Sequence, residues 1–159
     1  MMTLAETILM TQIGYENLLA RITEKEKEYD QVRDHRQVAF ELSGDGWHDN
    51  PEFNRMQQLE ANLNHTLKTL NDRLDVMKFI DIHDGMRNVQ QVEIGSIVKL
   101  RRYDLADDSE IEEIWEIRGF DETNIKLKHL AYNAPLAEKI MHLHVADIAE
   151  EVQIGSRHF

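Results

Sequence analysis

The chain of 159 residues has no cysteine, which excludes a disulfide framework and thiolate metal sites. Proline is almost absent, and its two residues, Pro51 and Pro135, stand where a helix can open. No apolar run approaches the ~20 residues of a membrane helix. The opening MMTLAETILMTQIGYEN has a short apolar run without a basic leader, so a soluble, cytoplasmic protein is expected. Positive charge is scarce: 18 Lys and Arg against 30 Asp and Glu leave a formal net charge of -12. Broad nucleic-acid binding needs cations to displace counterions, so this balance argues against it. It permits docking on a basic protein surface. There is no internal repeat and no low-complexity tract.

What is present divides into halves of different period. With 42% hydrophobic and 30% charged residues, the composition is that of a globular protein with a large exposed surface. In the first half, Tyr15, Leu18, Ile22, Lys25, Tyr29, Val32, Arg36 and Ala39 step by three and four, a coiled-coil seam with two charged breaks. A second run, Met56, Leu59, Leu63, Leu67, Leu70, Leu74 and Met77, predicts a partner helix with one eleven-residue step that relaxes the supercoil. Between them lies LSGDGWHDNPEF, residues 42–53. Gly44 and Gly46 break the first helix, Asn50 caps the second, Pro51 fits its first turn, and Glu52 suits the positive end of its dipole. So short a connection makes the helices antiparallel. The rod is expected to be weakest near this tip, where Arg36 and Ala39 replace large aliphatics.

From about residue 85 the pattern becomes strand-like. DIHDGMRNVQQ reads as a hinge, and VEIGSIVKLRRYD, IEEIWEIRG and NIKLKHL read as strands with polar turns between. The charge run from Asp104 to Glu113 reads as a solvated hairpin turn. APLAEKIMHL reads as a short helix opened by Pro135, and EEVQIGSRHF as a last strand or hairpin. The expected fold is α+β: an antiparallel two-helix coiled coil over 1–80 with an acidic tip at 44–52, a linker at 81–91, and a small antiparallel sheet domain with one short helix over 92–159.

Four ordered motifs resemble the Gre family of bacterial transcript-cleavage factors. TQIGYENLLARI is similar to that family's opening T-x-x-G-Y-x-x-L. Gly44-Asp45 and Asp49-Asn50-Pro51-Glu52-Phe53 resemble its tip, G-D-L-S-E-N-x-E-Y. EIGSIVKL matches G-S-x-V-x-L, and YNAPLAEKIM resembles a helix that opens S-P-L-G. Asp45 and Asp49 stand four apart where the family's acids stand three apart, with Gly46, Trp47 and His48 between. Ala137 replaces a glycine, and no basic residue precedes the tip in AFELSGD.

The resemblance implies an FKBP-like second domain that docks at the rim of the secondary channel of RNA polymerase, with Pro135 and Leu136 in the docking surface. It implies a coiled coil that enters the channel, and Asp45 and Asp49 as the acids that assist a polymerase Mg²⁺ in cleaving the RNA 3′ end. Trp47, His48, Asn50 and Glu52 would support the tip. The chain is then no enzyme alone: it binds no tight cofactor, shares Mg²⁺ only in the polymerase complex, touches RNA indirectly, avoids membranes and acts as a monomer. Two carboxylates about 5 Å apart repel by roughly 1 kcal/mol in water, a cost that a shared cation reverses. From the residues themselves, Asp45 is equally an ordinary turn residue, Asp49 an alternative cap, Trp47 a lid over Phe40 and Phe53, His48 a surface histidine and Leu136 a core residue. Three functions stay open: a cleavage-stimulating factor, a channel regulator that inhibits or retunes polymerase without cleavage, and a coiled-coil adaptor with no polymerase role.

Overall fold

The computed structural model describes residues 6–149 and the backbones of two short strands, Gln153–Ile154 and Arg157–His158. Elements run in the order β1 (Ile8–Met10), α1 (Gln12–Ser43), a 3₁₀ turn (Gly44–Asp49), α2 (Pro51–Val76), β2 (Met77–Phe79), β3 (Ile97–Tyr103), β4 (Glu110–Arg118), β5 (His129–Ala131), α3 (Pro135–Ile140), β6 (Gln153–Ile154) and β7 (Arg157–His158). The chain forms two compact units, one with Glu16–Met77 and the other with Thr7–Tyr15 and the chain from Lys78 onward.

In the helical unit, every α1 seam position from Tyr15 to Ala39 is buried or half-buried, and among its neighbours only Glu28 shares that shielding. The α2 seam differs from its sequence reading at one point. Leu59 is 37% exposed, and Glu60 is shielded in its place. Among the shielded α2 positions, Phe53, Met56, Glu60, Leu63, Leu67, Leu70 and Leu74 alternate steps of three and four, so a seam with an unbroken heptad replaces the eleven-residue step. The cause is charge matching across the hairpin. Glu60 meets the charged break at Arg36, with the guanidinium Nη1 3.1 Å from Oε2, and Tyr29 donates to Oε1 at 3.5 Å.

The second unit holds β3, β4 and β5 in one sheet. β3 pairs antiparallel with β4, Val98 opposite Trp115 and Leu100 opposite Glu113. The sheet expected to be antiparallel is mixed, because β5 runs parallel to β4 with Ile117 opposite Leu130. The chain after Arg118 does not fold into a tight hairpin: residues 119–128 loop back so that β5 starts beside Glu116, and only the last three residues of NIKLKHLA pair as strand. Trp115, Ile117, Leu130, Ala137 and Ile140 form the core beneath α3. On the other face Lys99 bonds Glu112 at 2.7 Å and Arg101 lies 3.5 Å from the same carboxylate, so these basic side chains are paired on a solvated surface. The 104–109 turn is acidic as expected, except that Asp104 is buried and its carboxylate accepts from Ala106 N at 2.8 Å. At the end of the described chain, β6 and β7 pair antiparallel, the hairpin alternative of the sequence reading.

The segment read as a hinge carries one 3₁₀ turn, Asp84–Met86, and Arg87 ties it to the sheet. The guanidinium donates to Gly95 O at 2.7 Å and lies 3.3 Å from Glu116, which also binds Arg118 at 2.9 Å. The same unit fixes the start of α1. Thr11 N and the Thr11 hydroxyl both donate to the buried carboxylate of Glu122, the former at 3.0 Å. A free helix start leaves amides without partners, and a carboxylate there also answers the helix dipole. Gly14 and Gly119 make room for it: a Cβ on Gly14 would stand 2.8 Å from the Glu122 carboxyl carbon, and one on Gly119 only 1.8 Å from its Oε2. This packing gives the glycine of TQIGYENLL a physical reason.

Candidate functional site: the hairpin tip

The tip is built from its caps outward. Gly44 ends α1 in the left-handed region at φ +54°, which only glycine adopts without strain. Asn50 then opens α2. Its side-chain oxygen accepts from Glu52 N at 2.9 Å and Phe53 N at 3.4 Å, while its amide donates to Ala39 O at 3.3 Å and to the Ser43 hydroxyl. One asparagine therefore caps the second helix and staples it to the end of the first.

Between these two residues the chain winds as a six-residue 3₁₀ turn. Such a turn repeats every three residues and rises about 2 Å per residue. In ideal form positions 44 and 47, 45 and 48, and 46 and 49 would share faces, but here the His48 ring lies 3.3 Å from the Trp47 ring. Trp47 is half-buried, and the other five residues of the turn are exposed. The Trp47 ring lies 5.8 Å from Phe40 and 5.2 Å, edge-on, from Phe53, with Phe40 6.0 Å from Phe53. Trp47 is thus the lid that one of its sequence readings described, and His48 stacks against its outer side. The tip, expected to be the weakest part of the rod, is sealed by this aromatic cluster where the seam itself carries only Ala39 and Arg36.

The three acids differ. Glu52 forms an ion pair with Arg55 at 3.0 Å, and the hydrogen bond from that guanidinium holds its carboxyl below the usual carboxylate range. Asp45 and Asp49 are exposed, and among the described residues neither carboxylate takes a hydrogen bond or an ion pair. Four residues along an ideal 3₁₀ turn correspond to about 8 Å of axial rise.

For the Mg²⁺ that the resemblance implies, these groups fit in kind but not in number. Mg²⁺ prefers six oxygen ligands and often uses only one or two protein carboxylates. Among the described residues, no group of three or more His, Asp or Glu side chains is placed to hold a metal ion.

On the β unit, an apolar groove of about 970 Å³ is bounded by β3, α3 and the 143–149 segment, with Leu136, Ile140 and Leu143 in its wall. Leu136 is half-buried and packs on the core, while Pro135 is exposed at the first turn of α3. The groove escaped sequence reasoning because its walls come from separate segments. The exposed Val145 and Ile148, at 83% and 81%, were the available signal. Among the described residues, no helix is long and apolar enough to cross a membrane.

No protein-family model matches the chain, and no curated protein matches it. Solved structures do. The chain is similar to GreA factor homolog 1 (Gfh1) of Thermus thermophilus, at 17% identity over 96% of this chain and 94% of that one, with a TM-score of 0.47. It is also similar to a second structure of the transcription factor Gfh1, at 18% identity over 98% and 94% with a TM-score of 0.47. Gfh1 of Thermus aquaticus matches at 17% identity over 97% and 94%, with a TM-score of 0.46. Likeness at this level does not by itself assign the chain to a family.

Proposed function

We propose that this chain is a Gre-type accessory factor of bacterial RNA polymerase. It acts as a monomer whose β unit docks at the rim of the secondary channel while the hairpin carries Asp45 and Asp49 towards the active centre. The observation that carries this reading is the tip itself: two carboxylates, exposed and unpartnered among the described residues, at the end of a capped two-helix hairpin. The four ordered sequence motifs support the choice of partner. Leu136 and the apolar groove beside it are the docking surface this reading assigns to the β unit. The chain has no chemistry of its own in this scheme. The polymerase Mg²⁺, when shared, polarises the phosphate and activates water. Asp45 and Asp49 offer it oxygen donors, Asn50 holds the turn in place, and Glu52 is committed to Arg55.

Two activities are compatible with such a tip. Stimulated cleavage of backtracked RNA needs the two acids on one ion, and misplacement by about 1 Å costs on the order of 100-fold. Acids four apart in a 3₁₀ turn fall a third of a turn from one another in ideal geometry, which supports the second activity, occupation of the channel that slows or retunes synthesis. A backtracked elongation complex tests both. Polymerase binding with slower extension and no RNA shortening is the expected result. RNA shortening that is lost in Asp45→Ala and Asp49→Ala would establish cleavage instead. Absence of binding to polymerase would leave the adaptor reading.

A further inference from the structure

We infer that Trp47 is the positioning residue of the tip: its indole keeps the turn wound and thereby sets the separation of Asp45 and Asp49. The functional part of this inference rests on the polymerase reading, and the structural part stands without it. Neither acid touches a group that would hold it in place among the described residues. Their directions are set by the backbone of Gly44–Asp49, and that backbone is anchored at its ends by Gly44 and Asn50. Between the ends, one side chain reaches inward. Trp47 is the half-buried residue of the turn and meets Phe40 and Phe53 from two helices, with rings 5.8 and 5.2 Å away. Two glycines flank the acid at 45, so the backbone has little stiffness of its own there. Without the indole, only the bonds from Asn50 N to Trp47 O at 3.3 Å and from the Asn54 amide to His48 O at 3.4 Å resist rewinding into a looser loop in which the two carboxylates can meet on one cation. The residue that looks like an intruder between the acids is, on this account, what keeps them apart.

The absence of cysteine allows a direct test on the full chain. Nitroxide labels at Asp45→Cys and Asp49→Cys report the separation by electron spin resonance. A narrow distance distribution is expected with Trp47 present, a broad one that extends to shorter distances in Trp47→Ala, and a narrow one again in Trp47→Phe. In the unlabelled protein, amide exchange over 44–49 should rise about tenfold in Trp47→Ala, with the rest of the hairpin unchanged. Against polymerase, Trp47→Ala should bind with unchanged affinity while its effect at saturation shifts, and Trp47→Phe should restore the original effect. An unchanged distribution and unchanged exchange in Trp47→Ala would overturn the inference. So would a loss of polymerase affinity that Trp47→Phe does not rescue, because that marks Trp47 as a contact for the partner. If the original protein fails to bind polymerase, the functional reading falls, and the label and exchange results still decide the positioning role.

Discussion

The two helices of the hairpin begin in opposite ways. α1 starts beside Glu122, an acid buried among Gly14, Gly119 and Thr11, with its oxygens engaged by Thr11. α2 starts at Asn50, a neutral cap, and the two acids just before it are left exposed without a partner. Both starts face the same problem of amides without acceptors. At the first, the Thr11 hydroxyl accepts from Gly14 N at 3.4 Å, and a carboxylate is consumed in holding Thr11 in place. At the second, an amide solves it and the carboxylates stay available. An acid used for architecture and an acid free for an external ligand are thus told apart by burial and bonding rather than by residue type.

The strongest way to break this comparison is to crowd the buried acid. A Cβ at Gly119 would also stand 2.9 Å from Leu9 O, so Gly119→Ala forces the Glu122 carboxylate out of its site. The expected cost is about 3 kcal/mol in urea unfolding. Glu122→Ala leaves the Thr11 donors unsatisfied and should cost about 2 kcal/mol. The double variant should lose less than the sum of the two single losses, because the closest clash leaves with the carboxylate while the contact with Leu9 O remains. Additive losses would mean that the glycine serves some other contact.

At the second start, Asn50→Ala removes the acceptor for two amides and the staple to Ala39 and Ser43. A loss of about 1–2 kcal/mol is expected, seen as a lower urea midpoint with an unchanged slope. A smaller loss would show that the aromatic cluster holds the tip without its cap.

Intermediate acids sharpen the contrast. Glu60 is shielded in the seam against Arg36, yet its Oε2 lacks a well-aligned hydrogen bond although the guanidinium is 3.1 Å away. Such a pair contributes roughly 0–1 kcal/mol. Glu60→Ala should therefore cost about 1 kcal/mol, and the double replacement Arg36→Leu with Glu60→Leu should be neutral or stabilising by about the same amount, read from the urea midpoint.

These sites also show what was legible in the sequence. The α1 seam, the break at Gly44, the cap at Asn50 and the short helix at Pro135 follow from local rules, and each was readable. Leu59 was chosen over Glu60 because hydrophobicity outranked register, and only the partner helix reveals that an acid faces Arg36. Glu122 gave no signal, since its role depends on a residue 111 positions away. The 3₁₀ winding from Gly44 to Asp49 was not legible, because two glycines leave that backbone without a local preference. Trp47 was legible as a lid because Phe40 and Phe53 lie close by in the chain.

Glu116 supplies a smaller, pH-dependent version of the same contrast. Burial raises its pKa, but the hydrogen bonds and charges of Arg118 and Arg87 outweigh that and hold it below the usual carboxylate range. Its folded value is thus below its unfolded one. The stability it contributes is present above the ordinary carboxylate pKa of about 4.3 and is lost as pH falls through the lowered folded value. Arg118→Gln should flatten the acid limb of the stability–pH curve by under roughly 1 kcal/mol, and a limb that stays as steep would show that Arg87 alone sustains the effect.

The smallest expected effect belongs to the residues of greatest functional interest. Asp45→Asn and Asp49→Asn remove a charge at positions where no partner is lost, so each should shift unfolding stability by no more than about 0.5 kcal/mol. The two acids also lie on an exposed turn, so the charge repulsion relieved is weak and screened by salt. A destabilisation comparable with that of Asn50→Ala would mean that a carboxylate is used in the tip after all, and the distinction between the two helix starts would collapse. A null result on stability with an altered effect on polymerase is the pairing that a free acid produces. It separates a side chain that faces outward for a partner from one that the fold needs for itself.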